Sequence, residues 1–206
     1  MQKINHIKVL GNLYSQKKNI VSIVNVPAMK FLMINGTGNP NNNPDYSKAV
    51  GALYSLAYAI KFHVKKGSMQ TDYKVMPLEG LWWADDMTKF NMVDRHLWKW
   101  TMMIMQPDFI TKDIFHEMQE ETIKKKKDMK IIEVHLEEFQ EGTCVQIFHM
   151  GPYGEAEAPA VKKLHDRIQE EGFVTNGKHH ELYFNSPLRT APENLKTIIR
   201  QPFKKE

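Results

Sequence analysis

The stretch Phe31–Gly38, FLMINGTG, returns in altered form as Ile147–Gly154, IFHMGPYG. Each copy is an apolar run with strand character that ends in a pair of glycines, where the chain can turn sharply. A helical pattern follows both. After the first copy it covers Pro44–Lys66, where Val50, Leu53, Ala57 and Ile60 share one apolar face. After the second it runs from about Ala156 to Glu171 and stops at Gly172, a residue suited to the left-handed conformation beyond a helix. Extended segments come next in both halves, so the order strand, glycine turn, long helix, strand, strand occurs twice. A duplicated β-α-β-β unit predicts an α+β fold of pseudo-twofold symmetry with a cleft between the halves. The whole chain, 1–206, is then one domain, with half-repeats at about 20–110 and about 131–206.

Working outward, Ile20–Val26 and Met29–Ile34 read as two extended segments split by Pro27. Tyr73–Leu78 and Leu81–Trp83 read as strands broken near Glu79-Gly80, and an apolar run covers Trp98–Met105. A helix over Thr111–Asp128, opened by Thr111 with Asp113 in its first turn, links the halves. In the second half, Ile131–Phe139, a turn at Glu141-Gly142 and Thr143–Met150 read as a hairpin. His180–Phe184 is a strand, and Pro192–Arg200 reads as a short final helix with Pro192 in its first turn.

Composition excludes several classes. With 42% hydrophobic and 25% charged residues the chain is of globular type, neither disordered nor collagenous. One cysteine, Cys144, cannot form an internal bridge, which points to a reducing, cytoplasmic setting. No apolar run approaches the roughly 18 residues of a membrane span, and Met1–Leu10 is too polar for a signal peptide, so no membrane partner is expected. The formal charge of +4 equals the run Lys124–Lys127, read as the solvated end of a helix. The aromatic residues lie elsewhere in the sequence, and no nucleic-acid partner is expected.

Glu181 stands out in the run HHELYF. Strand alternation puts Glu181 and Tyr183 on one face, and His180, Leu182 and Phe184 on the other. Enclosed beside an aromatic ring, such a carboxylate would act as a general base; on an open edge it would only meet solvent. Aligning the half-repeats matches Glu79 to Glu181. Trp98 and Trp100 fall on one side of a strand, Trp82 and Trp83 on opposite sides. These rings fit either core packing or the wall of a pocket for a flat or cationic ligand. The adjacent His179 and His180 point to opposite faces and cannot readily share an ion, so no metal or cofactor is expected. Cys144 reads as a buried thiol, and Gly36-Thr37-Gly38 is no phosphate loop, since Pro40 and Pro44 delay the helix.

The segments DYKVMPLEGLWW (72–83), WKWTMMIMQPDFIT (98–111), VQIFHMGPYGE (145–155), HHELYF (179–184) and PENLKTIIRQP (192–202) resemble the GyrI-like small-molecule-binding proteins, and within them the stand-alone subgroup of this length. The resemblance implies an antiparallel sheet backed by helices, with a ligand cleft at the pseudo-twofold axis. It implies a small lipophilic aromatic ligand and, for the stand-alone subgroup, hydrolysis of strained cyclopropane rings in DNA-alkylating natural products. Glu181 matches the cleft glutamate of that family, Tyr153 the tyrosine of its HxGPY motif and Trp82 the tryptophan of its EGLWW motif. His149 belongs to the same HxGPY motif. Gly154-Glu155 departs from the acidic residue common after GPY. Glu181 and Tyr153 are the expected catalytic pair, and Trp82, Trp98, Trp100, His149, Tyr183 and Glu79 the expected ligand contacts.

Overall fold

A computed structural model describes residues 2–87, 90, 95–126 and 130–206. In chain order the elements are β1 (Gln2–Ile4), α1 (His6–Val9), β2 (Ser22–Thr37), α2 (Pro44–Lys66), β3 (Thr71–Tyr73), β4 (Leu78–Trp83), β5 (Lys99–Gln106), α3 (Lys112–Lys125), β6 (His135–Met150), α4 (Ala158–Glu170), β7 (Phe173–Thr175), β8 (His179–Tyr183) and β9 (Lys196–Lys205). The strands pair in the order β6-β2-β5-β4-β8-β9, and β9 returns to pair with β6. Every pairing in this ring is antiparallel, so the sheet closes into a six-stranded barrel without a free edge. β7 adds to the far end of β9, and β1 pairs with β3 in a separate parallel ribbon. The expected antiparallel α+β sheet backed by helices is present. Units β2-α2-β4-β5 and β6-α4-β8-β9 have the same connectivity, and they meet at the β2–β6 and β4–β8 pairings.

Local chemistry accounts for the helices. Asn43 caps α2, its Oδ1 accepting the Asp45 N–H at 2.9 Å, with Pro44 in the first turn and Lys65 and Lys66 in the last. The face of α2 with Ala49, Ala52, Leu53, Leu56, Ala57, Ile60 and Val64 is buried. Its alanines let the helix lie close to the sheet, while each fully buried Leu or Ile contributes roughly 1.5–3 kcal/mol. Val50, expected on that face, is half-buried instead. Thr111 caps α3; the ends of the expected helix and of the basic run, Asp128 and Lys127, lie outside the described residues.

Four expectations change. Pro27 does not split β2, because it precedes Lys30, where pairing with β5 begins, and its missing N–H interrupts no ladder on that side. Glu79 and Gly80 do not break β4 but sit inside it, while residues 74–77 form no strand. Glu141-Gly142 is not a hairpin turn: Gly142, at φ +79°, bends the continuous strand β6 without changing its register with β2. Pro192–Arg200 is not a helix. Only Pro192–Asn194 make a helical turn before β9, whose apolar residues Ile198 and Ile199 are both buried because helix α4 covers one side and the barrel fills the other. Among the described residues no helix is long and apolar enough to cross a membrane.

Candidate active site

β4 and β8 lie side by side, with Gly80 opposite Glu181, Trp82 opposite His179 and Leu78 opposite Tyr183. These six residues face outward under α2. Two glycines make room there. A Cβ at Gly36 would overlap the Trp100 indole, and one at Gly80 would come within 2.7 Å of Trp82 Nε1. The indoles therefore lie flat along the sheet, and Tyr46 from α2 packs on both, 6.1 Å from Trp82 and 5.3 Å from Trp100. Trp98 closes edge-on against Trp82 at 5.5 Å.

The result is a cleft of about 610 Å³ between the two halves, walled by Tyr46, Tyr54, Trp82, Trp98, Tyr153 and Tyr183 and floored by Glu181 and Glu157. The loop 185–189 and Arg95 form its rim. Glu181 Oε1 lies 3.0 Å from His179 Nε2, and both side chains are nearly buried. Trp82 Nε1 donates to the Tyr183 hydroxyl at 2.9 Å, and Tyr183 in turn hydrogen-bonds Glu181. Burial, followed by the charge of Glu181, raises Tyr183 well above the usual phenol range, so its proton stays in place.

Glu157 is the residue that sequence reasoning missed. The Gly151–Gly154 turn leads into a short helical turn, Glu155–Glu157, and Gly154, at φ +90°, sends its N–H to Glu157 Oε2 at 2.6 Å. Glu157 Oε1 is buried and has no hydrogen-bond partner among the described residues, and the same is true of the Tyr153 hydroxyl. Burial, then the charge of Glu181, pushes the Glu157 carboxyl up to about 9. Burial and the two carboxylates push Tyr153 up to about 12. The cleft thus holds one carboxyl kept protonated at neutral pH, one carboxylate gripped by His179 and Tyr183, and a phenol with a free proton. A protonated acid and a base sharing one apolar site is the arrangement that general acid–base chemistry requires.

The other expected contacts separate into two groups. Trp82, Trp98, Tyr153, Tyr183 and Glu181 come together in the cleft, and Trp100 backs it from beneath Tyr46. Glu79 and His149 do not line it. His149 is held beside its own loop, Nε2 3.1 Å from the Pro152 carbonyl. Glu79 points the other way because β4 alternates, and it is fully buried inside the barrel. There the Tyr14 hydroxyl donates to Glu79 Oε1 at 2.6 Å, and His180 bridges Glu79 (3.1 Å) and Glu141 (2.9 Å). Arg200 completes the network, donating to Glu141 (3.1 Å), Gln146 and the Leu13 carbonyl (2.7 Å). Burial opposes both charges and Arg200 opposes that of His180, but Glu141, with the hydrogen bond to Glu79, holds His180 above its ordinary value, while His180 and Arg200 hold Glu141 below its own.

A closed α+β barrel with an aromatic, carboxylate-floored cleft between pseudo-twofold halves defines a small-molecule-binding module. The chain belongs to the family of the GyrI-like small molecule binding domain, whose signature matches residues 20–204. An uncharacterized conserved protein from Listeria innocua is 38% identical, superposes with a TM-score of 0.89, and the match covers 98% of this chain and all of that one. Two structures of hydrolases from Listeria innocua are 37% identical over 98% of this chain and 100% of theirs, with TM-scores of 0.85 and 0.88. No curated protein matches the chain in sequence.

Proposed function

We propose that this protein hydrolyses small, flat, lipophilic electrophiles that carry a strained cyclopropane ring, a chemistry that disarms DNA-alkylating compounds. The observation that carries the reading is the pair Glu157 and Glu181, two carboxyl groups in one aromatic cleft, with Glu157 raised to about 9. The full-length likeness to hydrolases of Listeria innocua supports the reaction class. The aromatic walls sandwich the flat substrate. Glu181, fixed by His179 and Tyr183, takes a proton from water as its oxygen bonds to a ring carbon. The opposite C–C bond breaks, and its electron pair moves into a conjugated carbonyl. Tyr153 or protonated Glu157, each with a polar atom unpartnered among the described residues, donates to that oxygen. Water is consumed and one alcohol is formed; Glu181 returns its proton to the ionised donor. Ring strain supplies driving force, so one base and one donor suffice.

The experiment follows a cyclopropyl dienone by mass spectrometry with wild type, Glu181→Gln and Glu157→Gln. Water-added product from wild type, with turnover about 10²–10⁴-fold lower in Glu181→Gln, is the expected result. Equal rates would remove Glu181 from the mechanism. Saturable binding with the compound recovered unchanged would instead make the cleft a non-catalytic binder of lipophilic, often cationic, aromatic compounds, for which a carboxylate among Trp and Tyr rings is also suited.

A further inference from the structure

From the cleft wall at Tyr54, α2 carries an aromatic row that leads away from the cleft, with Tyr58 touching both sides. Tyr54, Tyr58 and Phe62 follow at intervals of four residues and stack along the helix, with ring centres 6.4 and 6.3 Å apart and planes 28° apart in both pairs. Tyr58 and Phe62 are each 46% exposed. They form one wall of a groove of about 470 Å³, and the last turns of α3 form the other, with Met118, Lys125 and Lys126. The basic run that stood apart from the aromatics in the sequence therefore meets them in space.

The lining is positively charged. Lys66, Lys125 and Lys126 face the groove against one acidic residue, Glu121, which pairs with Lys125 at 2.9 Å. Lys126 donates to the Ser55 hydroxyl at 2.9 Å, and Lys66 Nζ stands 5.8 Å from the centre of the Phe62 ring. Neither of these two lysines has a carboxylate partner among the described residues. Both helices end here, which accounts for cations near their termini. It does not account for two half-exposed rings between those cations, where a solvated helix face would carry polar side chains.

We propose that the α2–α3 groove is a second ligand site, one that takes planar aromatic anions: the ring system lies on Tyr58 and Phe62, and a carboxylate or phosphate reaches Lys66 and Lys126. The groove volume lies in the usual range of small-molecule sites, roughly 300–1,000 Å³. The site differs from the cleft in charge and is independent of the hydrolase reading. Titration calorimetry on the full chain with adenosine 5′-monophosphate and with 1-naphthoate tests it, with adenosine and inorganic phosphate as the probes lacking the charge or the ring. Saturable binding of either aromatic anion is expected, weakened about tenfold by Phe62→Ala through loss of stacking. Lys126→Glu should weaken it by about tenfold as one attraction becomes a repulsion. Both substitutions are on exposed positions away from the cleft. Binding of only one aromatic anion supports the site and identifies its source as nucleotide or aromatic acid. The proposal is overturned if neither binds, if inorganic phosphate binds as well as they do, or if both variants bind unchanged.

Discussion

Replacing Glu157 with glutamine should make the folded protein more stable at neutral and alkaline pH, by an amount set by the raised carboxyl. In the unfolded chain this group releases its proton near its ordinary value of 4.5, while in the fold it keeps the proton to about 9. Between those values the folded state binds more protons than the unfolded state. Its relative stability is therefore complete below the lower value and declines as pH rises toward the upper one, by about 1.4 kcal/mol per pH unit. From about pH 5.5 to about pH 7.5 the wild type should lose about 3 kcal/mol from this group alone. In Glu157→Gln the amide oxygen still accepts the Gly154 N–H and the side chain cannot ionise, so the variant escapes the loss. Urea unfolding followed by tryptophan fluorescence at both pH values gives the two stabilities. The quantity to read is variant minus wild type, because titrating groups that do not interact with Glu157 cancel in it. It should grow by about 3 kcal/mol over that range. Since the Glu181 charge is the second cause of the shift, the same comparison in a Glu181→Gln background should grow less. A difference that stays constant with pH in both backgrounds would refute the account of Glu157 as a protonated acid.

Three further outcomes can be checked. His180→Leu leaves Glu79 and Glu141 inside the barrel without the imidazole that bridges them, and should cost roughly 3–5 kcal/mol in the same urea assay, with Tyr14→Phe costing only about 1–3 kcal/mol. Gly36→Ala forces a methyl group into the Trp100 indole and should cost about 1–3 kcal/mol, accompanied by a change in tryptophan emission that Gly67→Ala, at an exposed position, would not produce. Burial, together with the charge of Glu141, raises the Cys144 thiol far above its ordinary range, so it should resist iodoacetamide at neutral pH until denaturant is added; rapid labelling of the native protein would contradict its packing.

The repeat at 31–38 and 147–154 was enough to reach the duplicated plan, because strand, glycine turn and helix leave strong local marks. Glu181 was legible for the same reason: alternation in HHELYF separates it from His180 without tertiary information. Glu157 was not. In GEAEAP it looks like an acid in the first turn of a helix, and its burial and its closeness to Glu181 arise only when the Gly154 turn folds onto β8. Matching the halves by residue type misplaces Glu79, because alternation in β4 turns it to the barrel interior and leaves Gly80, on the cleft side, opposite Glu181. The helical spacing of Leu195, Ile198 and Ile199 is equally that of a strand buried on both faces, and closure of the barrel decides between them. Closure is a long-range event, the pairing of β6 with β9, to which short windows of sequence are blind.

β8 has one further consequence. Its backbone carries His179 and Glu181 toward the cleft and His180 toward the buried ions, on alternate residues of a strand clamped between β4 and β9. Inserting or deleting a single residue there would exchange the two faces, sending a cleft carboxyl group into the barrel and the core imidazole among the tryptophans. The loop 185–189, directly after β8, is under no such constraint, yet it rims the same cleft. Diversification of this scaffold should therefore run through that loop: the set of compounds admitted can change by insertion and exchange at the rim, while the proposed reacting groups stay locked to the register of the strand.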